Sequence, residues 1–372
     1  MHVIQVISSQ GGPGRHALEI CSGLSKLGVG QQTLILADRL NRSFVNSMGS
    51  LPSSVNVRVL SQREPPISRI ESMFRLLGDV NSDVVHVHYP SMALPLWLRG
   101  LGPKLLCTLH GHPQIKVEPE LWMKIGYLGE RLSLRLIAQD VRLVSVSNFT
   151  SQSARKIAGK LSQVVYPGID LSVFTPPSNK TSAKQKLGFE HQFIVLYVGR
   201  VHPYKDPMTL VRAMALLPRD LFRLIIVGQG PILRQVQHGL KKFNINYDLV
   251  AGLSVKDLVG YYQSADAFVL PSLGEAAGIV FIEAMSCGLP VISTTAGGAP
   301  EIVGNAGLYF SPGDAKQLAK KLSHLQSDEP LRHSLSEIGR KRVEALFSNL
   351  RMASEYLRIY HKILDDNASV SH

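Results

Sequence analysis

Residues 271–303 read PSLGEAAGIVFIEAMSCGLPVISTTAGGAPEIV. A glycine-containing turn comes first, and Glu275 follows it. The apolar run over 279–287 has the length of a short buried helix and carries Glu283 in its middle. A buried-strand pattern over 290–293 comes next, then a loop, Gly297-Gly298-Ala299-Pro300-Glu301. Such a segment aims acidic groups, and the free N–H groups of a helix start, at one small polar ligand. The two carboxylates resemble the acid–base pair of a glycoside hydrolase, but their spacing argues against it. Eight residues, if mostly helical, advance about 12 Å, beyond the roughly 5–9.5 Å that separates such a pair. Two separate hydrogen-bonding tasks fit better, each carboxylate accepting from a pair of sugar hydroxyls.

The same alternation of strand and helix continues outward. Strand patterns over 193–198, 223–227, 247–250, 267–270 and 290–293 alternate with helical stretches over 207–217, 232–243, 255–264, 279–287 and 315–325. A helical tail over 331–364 breaks near 347–350. The first half repeats the pattern, with strands expected over 3–7, 33–36, 57–60, 84–88, 104–109 and 143–146, and with helices such as 14–27 and 119–137. Between the halves, TPPSNKTSAKQK at 175–186 reads as a linker. The expectation is an α/β chain of two Rossmann-like domains, residues 1–167 and 191–345, joined by a linker over 168–190 and followed by a final helix over 346–372. A ligand would lie in the cleft between the two, at the carboxyl ends of the strands.

Several motifs sit at those strand ends. Gly11-Gly12-Pro13-Gly14 follows the first strand and opens the first helix, where backbone N–H groups can approach an anion. The spacing is not GxGxxG, and Asp38 alone is placed to read a ribose, so a dinucleotide reading is weak. Arg200 and Lys205, in YVGRVHPYKD, put two cations on one loop and suit a diphosphate. His86, His88, His110 and His112 cluster at the ends of two different strands, a poor zinc pattern. The chain contains no DxD pair, the usual carboxylate platform for a metal-bridged diphosphate, so no metal is expected. Residues 121–137, LWMKIGYLGERLSLRLI, form a basic amphipathic helix. Either it lies on an anionic lipid surface, or it packs on its own sheet with a solvated basic face.

Composition narrows the class. The 372 residues carry a net charge of +12, with 18 basic and 10 acidic residues in 1–167 against 22 and 18 thereafter. A basic chain suits nucleic acid, an anionic membrane or an anionic ligand. Its Lys and Arg are dispersed and no nucleic-acid-binding pattern is present, so no nucleic-acid partner is expected. Cys21, Cys107 and Cys287 are far apart in apolar surroundings, which reads as buried thiols in a reducing compartment. The start of the chain does not read as a signal peptide, and no run of 18 apolar residues exists to span a membrane. A cytoplasmic place is expected, with a peripheral position at the inner face of the plasma membrane as an extension of it.

Taken in order, GGPGRHALEI, DVVHVHYP, TLHGHP, SVSNFT, VVYPGIDLSVFTP, YVGRVHPYKD, VGQGP and the Glu275/Glu283 segment resemble the retaining GT-B glycosyltransferases of family 4 over nearly the whole chain. The resemblance implies two parallel sheets facing across a deep cleft, acceptor on the N-terminal side, a nucleotide-diphosphate sugar on the C-terminal side, and a last helix crossing back to the first domain. It also implies roles. Arg200 and Lys205 would hold the diphosphate; Glu283 the ribose; Glu275 with Ala276, Ala277, Gly278 and Ile279 the transferred sugar. Gly12, Gly199 and Gly228 would approach the donor, Leu253 would meet the base, and His110 would lie near the reacting carbon. The implied reaction is a metal-free substitution with retention, transferring a hexose to a glycan or lipid-linked acceptor in cell-surface polysaccharide or lipopolysaccharide assembly. Ala276-Ala277 and Gly111 depart from the common pattern beside the sugar, so no sugar identity carries over. A nucleotide-sugar epimerase of the same fold is the alternative enzyme, and a basic nucleic-acid-binding protein the alternative outside enzymes.

Overall fold

Runs of Val, Ile and Leu four to six residues long, buried from both sides, build two fully parallel sheets. The computed structural model describes residues 1–7, 11–36, 52–59, 82–111, 121–188 and 191–370. Asp38 and His112 lie outside them, as do the ends of the expected strand 57–60 and helix 119–137. The first sheet comprises β1 (His2–Ile7), β2 (Gln31–Leu36), β3 (Val55–Val59), β4 (Val84–Val87), β5 (Leu105–Leu109), β6 (Arg142–Ser145) and β7 (Gln163–Val164), in the order β3-β2-β1-β4-β5-β6-β7. The second comprises β8 (Phe193–Val198), β9 (Phe222–Val227), β10 (Tyr247–Val250), β11 (Ala267–Leu270), β12 (Val291–Thr294) and β13 (Gly307–Phe310), in the order β10-β9-β8-β11-β12-β13. In each sheet the winding reverses beside its first strand, between β1 and β4 and between β8 and β11. Open parallel sheets bind ligands at such points, beyond the carboxyl ends of the strands.

The chain divides into two units. The first holds residues 1–115, 119–168 and 348–372, and the second is essentially 169–347. The first sheet is therefore completed by the end of the chain. Helix Asn349–Val370 packs Met352, Tyr356, Ile359, Tyr360 and Ile363 onto the face that presents Val3, Val84, Leu106 and Val144. The opposite face, with Ile4, Val6, Val85 and Val87, is covered by helices Pro90–Leu98 and Leu121–Ile137. Side chains alternate across a strand, so Gln5 and His86 share the face of Val3 and Val84 and point toward the last helix. Gly23 brings helix Gly12–Lys26 against that helix: a Cβ there would stand 2.6 Å from the Ala353 Cβ and from the Asn349 carbonyl oxygen.

Three expectations need correction. The stretch read as a linker is built into the second unit. Helix Lys180–Gln185 starts at Asn179, whose side chain accepts from the Ser182 N–H at 2.9 Å, and Lys184 pairs with Asp266 at 2.7 Å. Pro, Ser and Asn marked a helix start there rather than a tether. The loop at 297–301 turns helical at Ala299, with Pro300 in the first turn of Ala299–Val303, where a missing N–H costs nothing. The strand expected at 290–293 runs one residue later, because Pro290 supplies only its carbonyl, to Phe268 N–H at 2.8 Å. Strands β7 and β13, and helices Pro90–Leu98 and Asn148–Ala158, were not foreseen.

Candidate active site

The second unit's reversal point carries the charged residues. Lys205 follows β8 and Glu275 follows β11, and these strands are neighbours. Their side chains form a buried ion pair, with 12% and 8% side-chain exposure. Ser272 adds a hydrogen bond from its Oγ to the Glu275 carboxylate at 2.6 Å. Burial alone would push the Lys205 ammonium down, but the Glu275 carboxylate and the Tyr204 hydroxyl outweigh it and hold it above its ordinary range. Lys205 is therefore a fixed cation at neutral pH.

The backbone explains why Lys205 points there. His202, Pro203 and Tyr204 enter a short 3-10 turn ending at Lys205, and Asp206 then adopts a left-handed conformation, φ +46°. Asp206 caps helix Pro207–Met214 by accepting from the Thr209 N–H at 3.2 Å. The Tyr204 carbonyl accepts from Leu273 N–H at 2.8 Å, which ties the loop after β8 to the loop after β11. Arg200, on the first of these loops, is exposed and makes no ion pair among the described residues. The Tyr197 hydroxyl holds its carbonyl at 2.8 Å.

Glycine is required where the loops after β8 and β9 meet. A Cβ on Gly228 would sit 1.9 Å from the Gly199 carbonyl oxygen. The two loops therefore meet by close backbone approach. On the other side of Glu275, Gly298 N–H donates to the Glu275 carbonyl at 2.7 Å, and Gly278 enters helix Ile279–Ser286 at φ +75°. Among the described residues, the N–H groups of Ala277, Gly278 and Ile279 have no hydrogen-bond acceptor within the protein. They form a donor cluster beside a cation, suited to an anionic, hydroxylated ligand. Leu253, half-buried, follows β10.

Glu283 is fully buried in the same helix, and Tyr262 donates to its Oε2 at 2.7 Å. It is not a surface charge. The sequence shows Ser272 three residues before Glu275, yet nothing in it announces Tyr262 as the partner of Glu283.

Gly12 and His110 belong to the first unit. At Gly12 a Cβ would meet no atom of the described residues within 4 Å. His110 follows β5 and belongs to a histidine cluster. His88 Nδ1 lies 2.9 Å from His110 Nε2, and His88 Nε2 lies 3.2 Å from Gln5 Oε1. His86 bonds Tyr360 at 2.8 Å and Thr108 at 2.7 Å; Thr108 and His16 each bond Tyr356 at 3.0 Å. Burial pushes the His16 ring down to about 3 and the rings of His86, His88 and His110 well below their usual range, so all four are neutral. The described residues contain no three His, Cys, Asp or Glu side chains grouped to hold a metal. Gln5, Thr108, Tyr356 and Tyr360 were not singled out by sequence; the strand period alone could have placed Gln5, His86 and Thr108 on one face.

Helix Leu121–Ile137 packs on its own sheet and keeps an exposed face. Leu134 and Ile137 are buried against the sheet, while Ile125, Leu128, Leu132 and Leu136 are 46–59% exposed beside Arg131 and Arg135. Their spacing of three and four residues puts the apolar four on one face. No described helix is long and apolar enough to cross a membrane.

Both halves of the chain match known proteins. Residues 179–342 match the family model described as glycosyl transferases group 1, and residues 10–173 match glycosyltransferase family 4. A GDP-mannose-dependent monoacylated alpha-(1-6)-phosphatidylinositol monomannoside mannosyltransferase of Corynebacterium glutamicum is 30% identical over 264 residues, 66% of each chain. A D-inositol 3-phosphate glycosyltransferase of Salinispora arenicola is 30% identical over 75% of this chain and 68% of its own. Among solved structures, sucrose-phosphate synthase of Thermosynechococcus elongatus superposes with a TM-score of 0.83 at 21% identity, over 98% of this chain and 100% of the other.

Proposed function

Since the chain belongs to the family 4, group 1 glycosyltransferases and has their two Rossmann-like GT-B units, we propose that it moves a sugar, with retention and without a metal, from a nucleotide-diphosphate sugar to a hydroxyl of a glycan or lipid-linked acceptor. The observation that carries this reading is the buried Lys205–Glu275 pair at the reversal point of the second sheet. Arg200 and the fixed cation of Lys205 take the charge that develops on the leaving diphosphate. Glu275 and the amides of Ala276–Ile279 orient the sugar hydroxyls. The bond from C1 to the phosphate oxygen breaks as the acceptor oxygen bonds C1 on the same face, and the acceptor proton passes to the departing diphosphate. No covalent sugar–enzyme intermediate forms. Gly12, Leu253, His110 and Glu283 are assigned to the donor as well, Glu283 to the ribose.

A panel of UDP-, GDP- and ADP-sugars in a thermal-shift assay, with and without EDTA, tests the donor. One nucleotide is expected to raise Tm, equally with chelator. Loss of the shift in EDTA would overturn the metal-free part, and a product of inverted anomeric configuration by proton NMR would overturn retention.

A lipid-linked acceptor, as in cell-surface polysaccharide or lipopolysaccharide assembly, places the enzyme in the cytoplasm at the inner face of the plasma membrane within this reading. The apolar stripe Ile125, Leu128, Leu132 and Leu136 beside two arginines supports it. The chain is expected to float with anionic vesicles at low salt, and Leu128→Asp/Leu132→Asp to stay in the pellet fraction with the unbound protein. Equal flotation of both, or of neither, would remove the membrane from the proposal.

A further inference from the structure

The donors and acceptors around His110 form a chain with a direction. Gln5 projects from β1 between a thiol and an imidazole: its Nε2 donates to Cys21 Sγ at 3.1 Å, and its Oε1 faces His88 Nε2 at 3.2 Å. An amide oxygen only accepts, so His88 carries its proton on Nε2. A neutral imidazole has one N–H, which leaves His88 Nδ1 as a lone pair. The atom facing that lone pair at 2.9 Å is His110 Nε2, which must then be the protonated nitrogen of its ring. His110 Nδ1 is left unprotonated.

Two further observations hold the register. Burial keeps both rings neutral, so neither nitrogen pair fills with protons. The His110 ring is also held in place: His16 stands edge-on to it with centroids 5.0 Å apart, and the His88 ring lies at 27° to it with centroids 5.2 Å apart. His16 is itself held by Tyr356 of the last helix.

We propose that Gln5 and His88 are positioning residues that fix the proton of His110 on Nε2, so that His110 offers its ligand a hydrogen-bond acceptor at Nδ1. The tautomer follows from the first unit alone. Its use, accepting from a hydroxyl of the transferred sugar, rests on the assignment of His110 to the donor sugar made above.

Long-range proton–nitrogen NMR of the 15N-labelled full chain, without any donor, reads the tautomers directly. The wild type is expected to show His110 protonated at Nε2 and bare at Nδ1. In His88→Leu the two tautomers of His110 mix, and kcat/KM falls about tenfold, the effect of losing one oriented hydrogen bond. His88→Asn, whose amide oxygen can accept from His110 Nε2, restores both the tautomer and most of the rate. Gln5→Met, which removes the acceptor for His88, behaves like His88→Leu and serves if that variant does not fold. A proton on His110 Nδ1 in the wild type, or an unchanged tautomer in His88→Leu and Gln5→Met, overturns the proposal. If the tautomers shift as expected while donor kinetics stay at the wild-type level, the positioning stands and the placement of His110 on the sugar falls.

Discussion

Lys205→Ala is expected to lower kcat/KM at least about a hundredfold, the typical loss when one preorganised group that stabilises transition-state charge is removed. Lys205 is the buried cation of the site and stays protonated because Glu275 and Tyr204 outweigh its desolvation. The same substitution strands the buried Glu275 carboxylate with the Ser272 hydroxyl as donor. Breaking a buried pair from one side costs about 3–5 kcal/mol, so Tm should drop as well. The two effects separate in Lys205→Ala/Glu275→Gln. Without the uncompensated charge Tm should recover, while turnover stays low. Calorimetry and steady-state kinetics on the three proteins check this. Wild-type kinetics in Lys205→Ala would show that the diphosphate is held elsewhere.

A chain ending at Phe347 is expected to lose its first unit altogether. The deletion strips Met352, Tyr356, Ile359, Tyr360 and Ile363, all at most 4% exposed, from one face of the first sheet. Each such side chain contributes about 2–5 kcal/mol, and together they match or exceed the roughly 5–15 kcal/mol that holds a typical domain. The deletion also leaves Thr108 and His86 without their tyrosine hydroxyls. Limited proteolysis should leave a resistant fragment near 169–347 and digest residues 1–168. A resistant N-terminal fragment would show that the first sheet stands without its last helix.

Much of the frame was legible in the sequence. Both sheets follow from Val/Ile/Leu runs, and β8, β10 and β11 begin and end where the pattern does. The strand β13, GLYF, was missed because four residues opening on glycine carry little period, and β7 because two residues carry none. Arg200, Lys205 and Glu275 could be singled out because each follows a strand pattern, and Glu283 because it interrupts an apolar helix pattern. Their mutual pairing could not, since it depends on β8 and β11 being neighbours although 68 residues separate Val198 from Ala267. Tyr262 and Tyr356 were hidden for a related reason: a tyrosine in an amphipathic helix reads as core, and its hydroxyl's partner lies far along the chain.

The return of the last helix to the first unit also sets an order of events during synthesis. The second unit is nearly contiguous and can close its core once Phe347 has left the ribosome. The first unit, though translated earlier, waits until the residues up to Ile363 emerge. At about 5–20 residues per second, the 195 residues from Ile169 to Ile363 take roughly 10–40 s. For that interval Val3, Ile20, Leu24 and Val84 lack their cover. If the truncated chain behaves as expected, the half of the molecule made first is the half that folds last.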